Sequence, residues 1–179
     1  MRLCSRISLV AAAALILGWS SNLCHAESQV GDMAPDFSMM GSDGKMHKLS
    51  DYKGKEAVVI AWFPKAFTGG CTKECKSMKE FGSDLKQYKV AYFTASCDTP
   101  EENKKFAESL GLDYPILSDP SKKNAEMFGV LGKGGNATRW TFYIDKHGKI
   151  VHVDKGVKTE SHGKDVAAKL QELGVAKKS

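Results

Sequence analysis

Three cysteines are the residues of this sequence best suited to covalent or redox chemistry. They are Cys71, Cys75 and Cys97, while Cys4 and Cys24 lie within the first 26 residues. A deprotonated cysteine attacks electrophiles, exchanges disulfides and binds soft metal ions. The surroundings of a cysteine decide which of these reactions it performs, and those surroundings depend on the helices and strands that position it.

Cys71 is predicted to lie at the start of a helix. The apolar stretch 57–63 is typical of a buried strand that ends at Pro64, and a helix is expected to begin near Thr68 or Cys71. Unpaired backbone N–H groups and the positive end of the helix dipole favour a thiolate there. We therefore predict that Cys71 is a nucleophile or a redox centre, the alternative being a small buried apolar residue.

Cys75 and Cys97 are the candidate redox partners of Cys71. Residues four apart on a helix share a face, with Cβ atoms about 5–6 Å apart, whereas a disulfide needs about 3.5–4.5 Å. A Cys71–Cys75 disulfide thus requires the first helical turn to unwind; otherwise Cys75 only packs in the core. Cys97 follows a predicted strand at 90–95 and lies close to Cys71 if that strand neighbours 57–63, although a structural role is favoured for it.

The first 26 residues resemble a secretory signal peptide. Arg2 and Arg6 precede the apolar run 7–19, and a short polar segment ends at Ala26. The run is shorter than the roughly 20 apolar residues that a membrane-spanning helix needs, and an uncleaved anchor is the alternative. We expect cleavage after Ala26 and export of residues 27–179 to the periplasm or the medium, without attachment to the membrane.

Composition predicts one globular domain over residues 27–179. The chain is 42% hydrophobic and 26% charged, which is ordinary for a folded domain. Its formal net charge of +5 falls to +3 once Arg2 and Arg6 are removed, and so mild a charge argues against a nucleic-acid partner. Five cysteines are too few for a disulfide-stabilised scaffold in a chain of this length. The three that follow residue 26 are an odd number, which leaves one unpaired or catalytic.

Short apolar stretches alternate with helical patterns, which indicates an α/β fold. An N-terminal hairpin is expected from 36–39 and 45–48, because a turn rich in glycine and aspartate separates these stretches. Further strands are predicted at 57–63, 90–95, 114–117, 139–144 and 149–153, and further helices at 100–110, 122–128 and 163–173.

Four ordered landmarks resemble those of one enzyme family. They are the spacing Pro64-x-x-x-Thr68-x-x-Cys71 and the segments 30–37, 117–120 and 139–145. Together with the residues around Cys71, they are similar to the Q-type peroxiredoxins, also called bacterioferritin-comigratory proteins, over residues 30–173. Four landmarks in order are more specific than one motif. The resemblance implies a thioredoxin-like fold with a central mixed β-sheet flanked by helices and an N-terminal β-hairpin extension.

The resemblance implies a thiol-dependent, antioxidant peroxidase that reduces hydrogen peroxide or organic hydroperoxides without a cofactor or metal. It makes Cys71 the peroxidatic cysteine, Thr68 the hydroxyl that orients the peroxide, Pro64 a shield and Arg139 a cation over the site. Cys75 is inferred from its proximity to be the resolving cysteine. A thioredoxin-like reductant would regenerate the thiols, and a monomer is expected rather than an obligate oligomer.

The chain departs from the family pattern at two positions near Cys71. Lys76 stands where many Q-type enzymes have the resolving cysteine, which leaves Cys97 as an alternative resolving residue and a one-cysteine mechanism as a third possibility. Gly69 stands where many members have proline, which would loosen the loop.

A copper-binding protein is the main alternative. Cys71 and Cys75 on a thioredoxin-like fold also resemble the Sco proteins, since two thiolates and one imidazole suit copper. Sco proteins, however, have a proline after the second cysteine and a histidine before the late strand, where this chain has Lys76 and residues 132–138. A general disulfide oxidoreductase would need Cys-x-x-Cys spacing. Three later histidines are predicted to be solvated, at a turn, a strand face and a helix start: His147, His152 and His162.

Overall fold

The computed structural model describes residues 27–178, so the predicted signal peptide lies outside the described residues. The strands of this part are β1 (Ser38–Gly41), β2 (Met46–Lys48), β3 (Ala57–Trp62), β4 (Val90–Ser96), β5 (Ile116–Ser118), β6 (Thr141–Ile144) and β7 (Ile150–Asp154). The helices are α1 (Leu49–Tyr52), α2 (Gly69–Glu80), α3 (Gly82–Leu85), α4 (Pro100–Leu110), α5 (Lys123–Met127) and α6 (His162–Glu172).

The seven strands form one mixed sheet in the order β2-β1-β5-β4-β3-β6-β7. Strand β4 pairs in parallel with β3 and with β5, while the remaining pairs are antiparallel. The apolar strand β3 is buried along its whole length at the centre of the sheet, as its uninterrupted apolar sequence predicts. The predicted mixed sheet with flanking helices and an N-terminal hairpin is confirmed.

The sheet separates two apolar layers. On one face, Val58, Ile60 and Trp62 of β3 pack with residues of α1 and α5. On the other face, Val59 packs with α2, α3 and α6, and Phe63 just beyond β3 packs with α2 and α4. Alternation of side chains along each strand therefore decides which layer a residue joins.

The predicted elements are present with small shifts of their ends. Strand β5 begins at Ile116, after Pro115, and β6 begins at Thr141, so that Arg139 lies two residues before the strand rather than in it. The four-residue helices α1 and α3 were not predicted, because one helical turn is too short to display periodicity. Within residues 27–178, no helix combines the length and apolar character needed to cross a membrane.

Candidate active site

Cys71 lies in the first turn of α2, just after the chain leaves the centre of the sheet. Strand β3 ends at Trp62, residues 63–68 form the connecting loop, and α2 begins at Gly69. Phe67 has a φ of +60°, an unusual value for a bulky residue, and it turns the loop into the helix. The Cys71 side chain is buried, and it packs in one apolar cluster with Phe63 of the loop, Cys75 of α2 and Phe106 of α4. The helix start thus lies where the sequence predicts it.

Arg139 links Cys71 to a buried carboxylate. Its Nη2 donates a hydrogen bond to Cys71 Sγ at 3.2 Å, and its Nη1 donates to Glu74 Oε2. A guanidinium presents several N–H groups in a fixed plane, so one arginine can make both contacts. Gly70 makes room for this approach, because a Cβ there would lie 3.3 Å from Arg139 Nη2. The sulfur therefore faces a positive charge as well as the helix N-terminus.

His162 extends this polar cluster into the interior. Its Nδ1 lies 3.2 Å from Glu74 Oε1, and its Nε2 lies 2.9 Å from Thr141 Oγ1. The histidine is only 1% exposed, so the prediction that it is a solvated helix-start residue is wrong. It is covered because α6 packs directly on α2, where Gly163 N donates to Ser77 Oγ at 3.0 Å. His147 is exposed and His152 is partly exposed, in keeping with the predictions for them.

Glu74 and His162 were not identified from the sequence as site residues. Glu74 follows Cys71 by three positions, a spacing that places two helical residues on neighbouring faces. An acidic residue three positions after a nucleophilic cysteine at a helix start is therefore a signal that the sequence itself displays. His162 immediately precedes Gly163, and a Cβ on that glycine would lie 2.2 Å from the Ser77 carbonyl oxygen. Close helix packing of this kind is not visible in a single sequence.

Thr68 and Pro64 line the loop that leads to Cys71. Thr68 is exposed at the N-cap of α2, and its Oγ1 donates to the Lys65 carbonyl at 2.9 Å. That hydroxyl retains acceptor capacity while its proton is engaged. Pro64 is partly buried, and the backbone N–H of Ala66 donates to Asp98 Oδ2 at 2.8 Å, which ties the loop to the end of β4.

Cys75 lies on the same helix as Cys71 and is likewise buried. The Tyr114 hydroxyl donates to the Cys75 carbonyl at 3.0 Å, which fixes this part of α2. Burial raises the pKa of the Cys75 thiol to about 12, against the opposing effect of hydrogen bonds from Tyr114 and Thr94. Cys75 is therefore a neutral thiol in the reduced, folded protein.

Cys97 does not lie beside Cys71. Strands β3 and β4 are neighbours, which is the condition under which Cys97 is expected close to Cys71. Cys97 nevertheless packs against the α1 and α5 layer, whereas Cys71 and Cys75 pack in the layer on the other face. Burial also raises the pKa of its thiol to about 11. The sheet therefore separates Cys97 from the site, because alternation along β4 directs Ala91, Phe93 and Ala95 to that same layer.

Within residues 27–178, Cys71 and Cys75 lack the further ligands that a copper centre would need. Among the residues that the structure describes, no group of three or more histidine, cysteine or acidic side chains is arranged to hold a metal ion. His162 is linked to Cys71 only through Glu74 and Arg139, and its Nε2 lies against Thr141 Oγ1. The donor set is thus two cysteine sulfurs, of which one is a buried neutral thiol.

Comparison with known proteins identifies the family. The model of the AhpC/TSA family matches residues 30–153. The chain belongs to this family. Peroxiredoxin Bcp of Escherichia coli is 36% identical over 141 residues, which cover 75% of this chain and 90% of that protein. Peroxiredoxin Bcp of Bacillus subtilis is 34% identical over 152 residues, or 81% and 94% of the two chains.

Solved structures of peroxiredoxins share the fold. Peroxidoxin BcpB of Mycobacterium tuberculosis superposes with a TM-score of 0.74 at 30% identity, covering 80% of this chain and 97% of that one. PrxQ of Xylella fastidiosa superposes with a TM-score of 0.77 at 23% identity, covering 83% and 99%. The AhpC/TSA member described here is thus a Bcp-like, Q-type peroxiredoxin with a thioredoxin-like fold, and it is a thiol-dependent peroxidase. The Sco-like alternative is not favoured.

Proposed function

We propose that Cys71 is the peroxidatic cysteine of this peroxidase. The observation that carries the proposal is the contact between its sulfur and Arg139 Nη2 at 3.2 Å, at the N-terminus of α2. The thiolate attacks the terminal oxygen of a hydroperoxide, an S–O bond forms and the O–O bond breaks. The leaving oxygen takes a proton to become water or an alcohol, and Cys71 becomes a sulfenic acid.

Arg139 and Thr68 would stabilise the peroxide during this step. The arginine can donate to the sulfur and to a peroxide oxygen while Glu74 holds its other nitrogen. The Thr68 hydroxyl, three residues before Cys71, can accept from the peroxide and donate to it after leaving the Lys65 carbonyl. Pro64 would limit the access of water from the other side of the loop.

Cys75 is proposed to be the resolving cysteine. Its thiol condenses with the Cys71 sulfenic acid, an S–S bond forms and one water is released. Both cysteines belong to the same apolar cluster, which supports this pairing over one with Cys97. Because residues four apart on an intact helix keep their Cβ atoms about 5–6 Å apart, more than a disulfide allows, the first turn of α2 must unwind before the sulfurs can bond. A thioredoxin-like dithiol would then reduce the disulfide by exchange.

Peptide mapping by mass spectrometry tests these roles. Reduced protein comprising residues 27–179 is treated with about one equivalent of hydrogen peroxide, alongside Cys71→Ser and Cys97→Ser variants. We expect a Cys71–Cys75 disulfide in the wild type and in Cys97→Ser, and none in Cys71→Ser. A disulfide to Cys97 would reassign the resolving residue, and persistent sulfenic acid at Cys71 would indicate a one-cysteine mechanism.

Organic hydroperoxides are proposed as substrates alongside hydrogen peroxide. Phe67 is 59% exposed on the loop before α2, and its ring lies 4.9 Å from that of Phe106, centroid to centroid. An apolar surface next to the nucleophile suits an alkyl group. A solved bacterioferritin comigratory protein from Xanthomonas campestris is described by its alkyl peroxide reduction activity, and it shares this fold at 22% identity.

Export and a monomeric state complete the proposal. The signal-like residues 1–26 support delivery of residues 27–179 to the periplasm or the medium. N-terminal sequencing of protein recovered outside the cytoplasm is expected to begin at Glu27. Light scattering of the reduced and oxidised forms is expected to give the mass of one chain, and a stable larger mass would contradict the monomer.

A further inference from the structure

A polar chain of four side chains runs inward from Cys71. Arg139 contacts Cys71 and Glu74, and Glu74 in turn lies against His162, which contacts Thr141. These residues come from α2, the segment before β6, the first residue of α6 and the first residue of β6. Three elements distant in sequence thus converge behind the nucleophile.

At the inner end of this chain of side chains, a buried hydrogen-bond donor faces a buried hydrogen-bond acceptor. His162 Nδ1 and Glu74 Oε1 are both buried, and neither has a fully aligned hydrogen-bond partner within residues 27–178. They lie 3.2 Å apart, so a small rotation of either side chain aligns them. Leaving a buried carboxylate oxygen without a hydrogen bond costs free energy. A hydrogen bond from His162 Nδ1 would remove that cost for Glu74 Oε1.

The contact also fixes the tautomer of the imidazole. A neutral imidazole has one N–H donor and one acceptor nitrogen. Because Nδ1 faces a carboxylate, the proton belongs on Nδ1, and Nε2 accepts from the Thr141 hydroxyl at 2.9 Å. His162 can therefore orient Glu74 without adding a charge to the Glu74–Arg139 pair.

Burial keeps His162 neutral although carboxylates on neighbouring elements favour its charged form. Burial lowers the pKa of His162 to about 4 and is the largest influence; the carboxylates of Asp154 on β7 and Asp165 on α6 oppose it, and Arg139 reinforces it. Glu74 on α2 is the carboxylate in direct contact. At neutral pH the histidine is therefore a hydrogen-bond donor rather than a cation.

We propose that His162 is a positioning residue for the peroxidase reaction. By donating from Nδ1 to Glu74 Oε1, it holds the carboxylate that in turn holds Arg139 against the Cys71 sulfur. The tight packing of Gly163 on Ser77 fixes the position of the imidazole. This inference rests on the proposed role of Cys71 as the nucleophile.

Two replacements of His162 separate positioning from packing. In His162→Asn the side-chain amide can reach the position of Nδ1, while in His162→Gln it reaches that of Nε2. We expect the rate constant for oxidation of Cys71 by hydrogen peroxide to stay within about threefold of wild type in His162→Asn and to fall about tenfold or more in His162→Gln. The exposed residue His147 provides the control His147→Asn, which is expected to leave the rate unchanged.

A double-mutant cycle with Glu74→Gln shows whether His162 acts through Glu74. We expect His162→Gln to slow the reaction by less than about twofold in that background, because the carboxylate it orients has been removed. In otherwise wild-type protein, His162→Gln should also move the pH dependence of Cys71 alkylation to higher pH. An equal loss in both backgrounds, with an unchanged pH profile, would overturn the positioning role.

The outcomes also distinguish this inference from the proposed function. If Cys71→Ser retains the peroxidase activity, the assignment of the nucleophile is wrong. If Cys71→Ser is inactive and His162→Gln reacts as fast as wild type, only the positioning role is wrong.

Discussion

At the scale of single residues, Arg139 is the group that brings positive charge to Cys71. One guanidinium nitrogen donates to the sulfur at 3.2 Å while another is held by Glu74. A lysine ammonium is a single point of charge and cannot reproduce this fork. The geometry of the cation therefore matters as well as its sign.

Replacing Arg139 with lysine is predicted to impair peroxide reduction although the charge is kept. We expect the rate constant for Cys71 oxidation to fall about tenfold or more, the cost of losing one charged hydrogen bond. Stopped-flow measurement of single-turnover oxidation checks this. Lys73→Met is the control, because Lys73 forms an exposed ion pair with Glu160 that contributes little. A wild-type rate in Arg139→Lys would contradict the assignment.

The two cysteines of α2 are predicted to differ in reactivity. Burial raises the pKa of Cys75 to about 12, so it remains a neutral thiol throughout the physiological pH range. In reduced protein at pH 7–8, we expect iodoacetamide to modify Cys71 well before Cys75, as measured by peptide mapping over time. Denatured protein provides the control in which both react alike. Modification of Cys75 first would refute this picture.

The placement of Arg139 over Cys71 could be predicted from the sequence because the motifs that contain these two residues are local or ordered along the chain. The burial of His162 could not, since it depends on α6 packing against α2 through Gly163 and Ser77. A histidine at the start of a helix is more often solvated. No residue near His162 in the sequence indicates that α6 packs against α2.

At the scale of elements, the proposed mechanism requires the first turn of α2 both to present Cys71 and to unwind when the disulfide forms. Its two glycines face different surroundings. A Cβ at Gly70 would lie 3.3 Å from Arg139 Nη2, whereas a Cβ at Gly69 would meet nothing within 4 Å. Space beside Gly70 is therefore what lets the guanidinium reach the sulfur.

Gly70→Ala and Gly69→Ala form a matched pair that tests this requirement. Both replacements favour the helix to a similar extent, about 1 kcal/mol. Only Gly70→Ala displaces the guanidinium, so we expect its oxidation rate to drop severalfold while Gly69→Ala stays near wild type. The comparison uses single-turnover rates with hydrogen peroxide. Equal rates in the two variants would mean that Arg139 does not need this space.

The helices and strands could largely be predicted, because β3 and α4 carry clear apolar patterns and turn signals. The position of Cys97 could not. Cys97 continues the alternation of Ala91, Phe93 and Ala95, but Cys71 follows a loop, so the alternation along β3 does not tell which face of the sheet Cys71 joins. The structure places Cys97 in the α1 and α5 layer.

At the scale of the whole molecule, buried titratable groups make stability depend on pH at both ends of the range. His162 has a pKa near 4 in the folded state, below its usual value of 6.5, so the unfolded chain binds the extra proton first as pH falls. Cys75, Tyr92 and Tyr52 have raised pKa values of about 12, so the unfolded chain loses protons first as pH rises. Both effects favour unfolding.

The free energy of unfolding is therefore predicted to be greatest between about pH 6.5 and 9. From pH 7 to pH 5, charging of His162 in the unfolded state should remove about 2 kcal/mol. Urea unfolding at a series of pH values measures this. His162→Asn should flatten the acidic decline while the alkaline decline remains. An acidic decline of the same size in His162→Asn would show that another group causes it.

The nucleophilic role of Cys71 is tested most directly in a protein of residues 27–179 in which Cys75 and Cys97 are both replaced by serine. The measurement is the rate at which this protein consumes one equivalent of hydrogen peroxide, with trapping of sulfenic acid by dimedone. We predict consumption at least about a hundredfold faster than by free cysteine, with the trapped adduct on Cys71. A rate no greater than that of free cysteine would contradict the account.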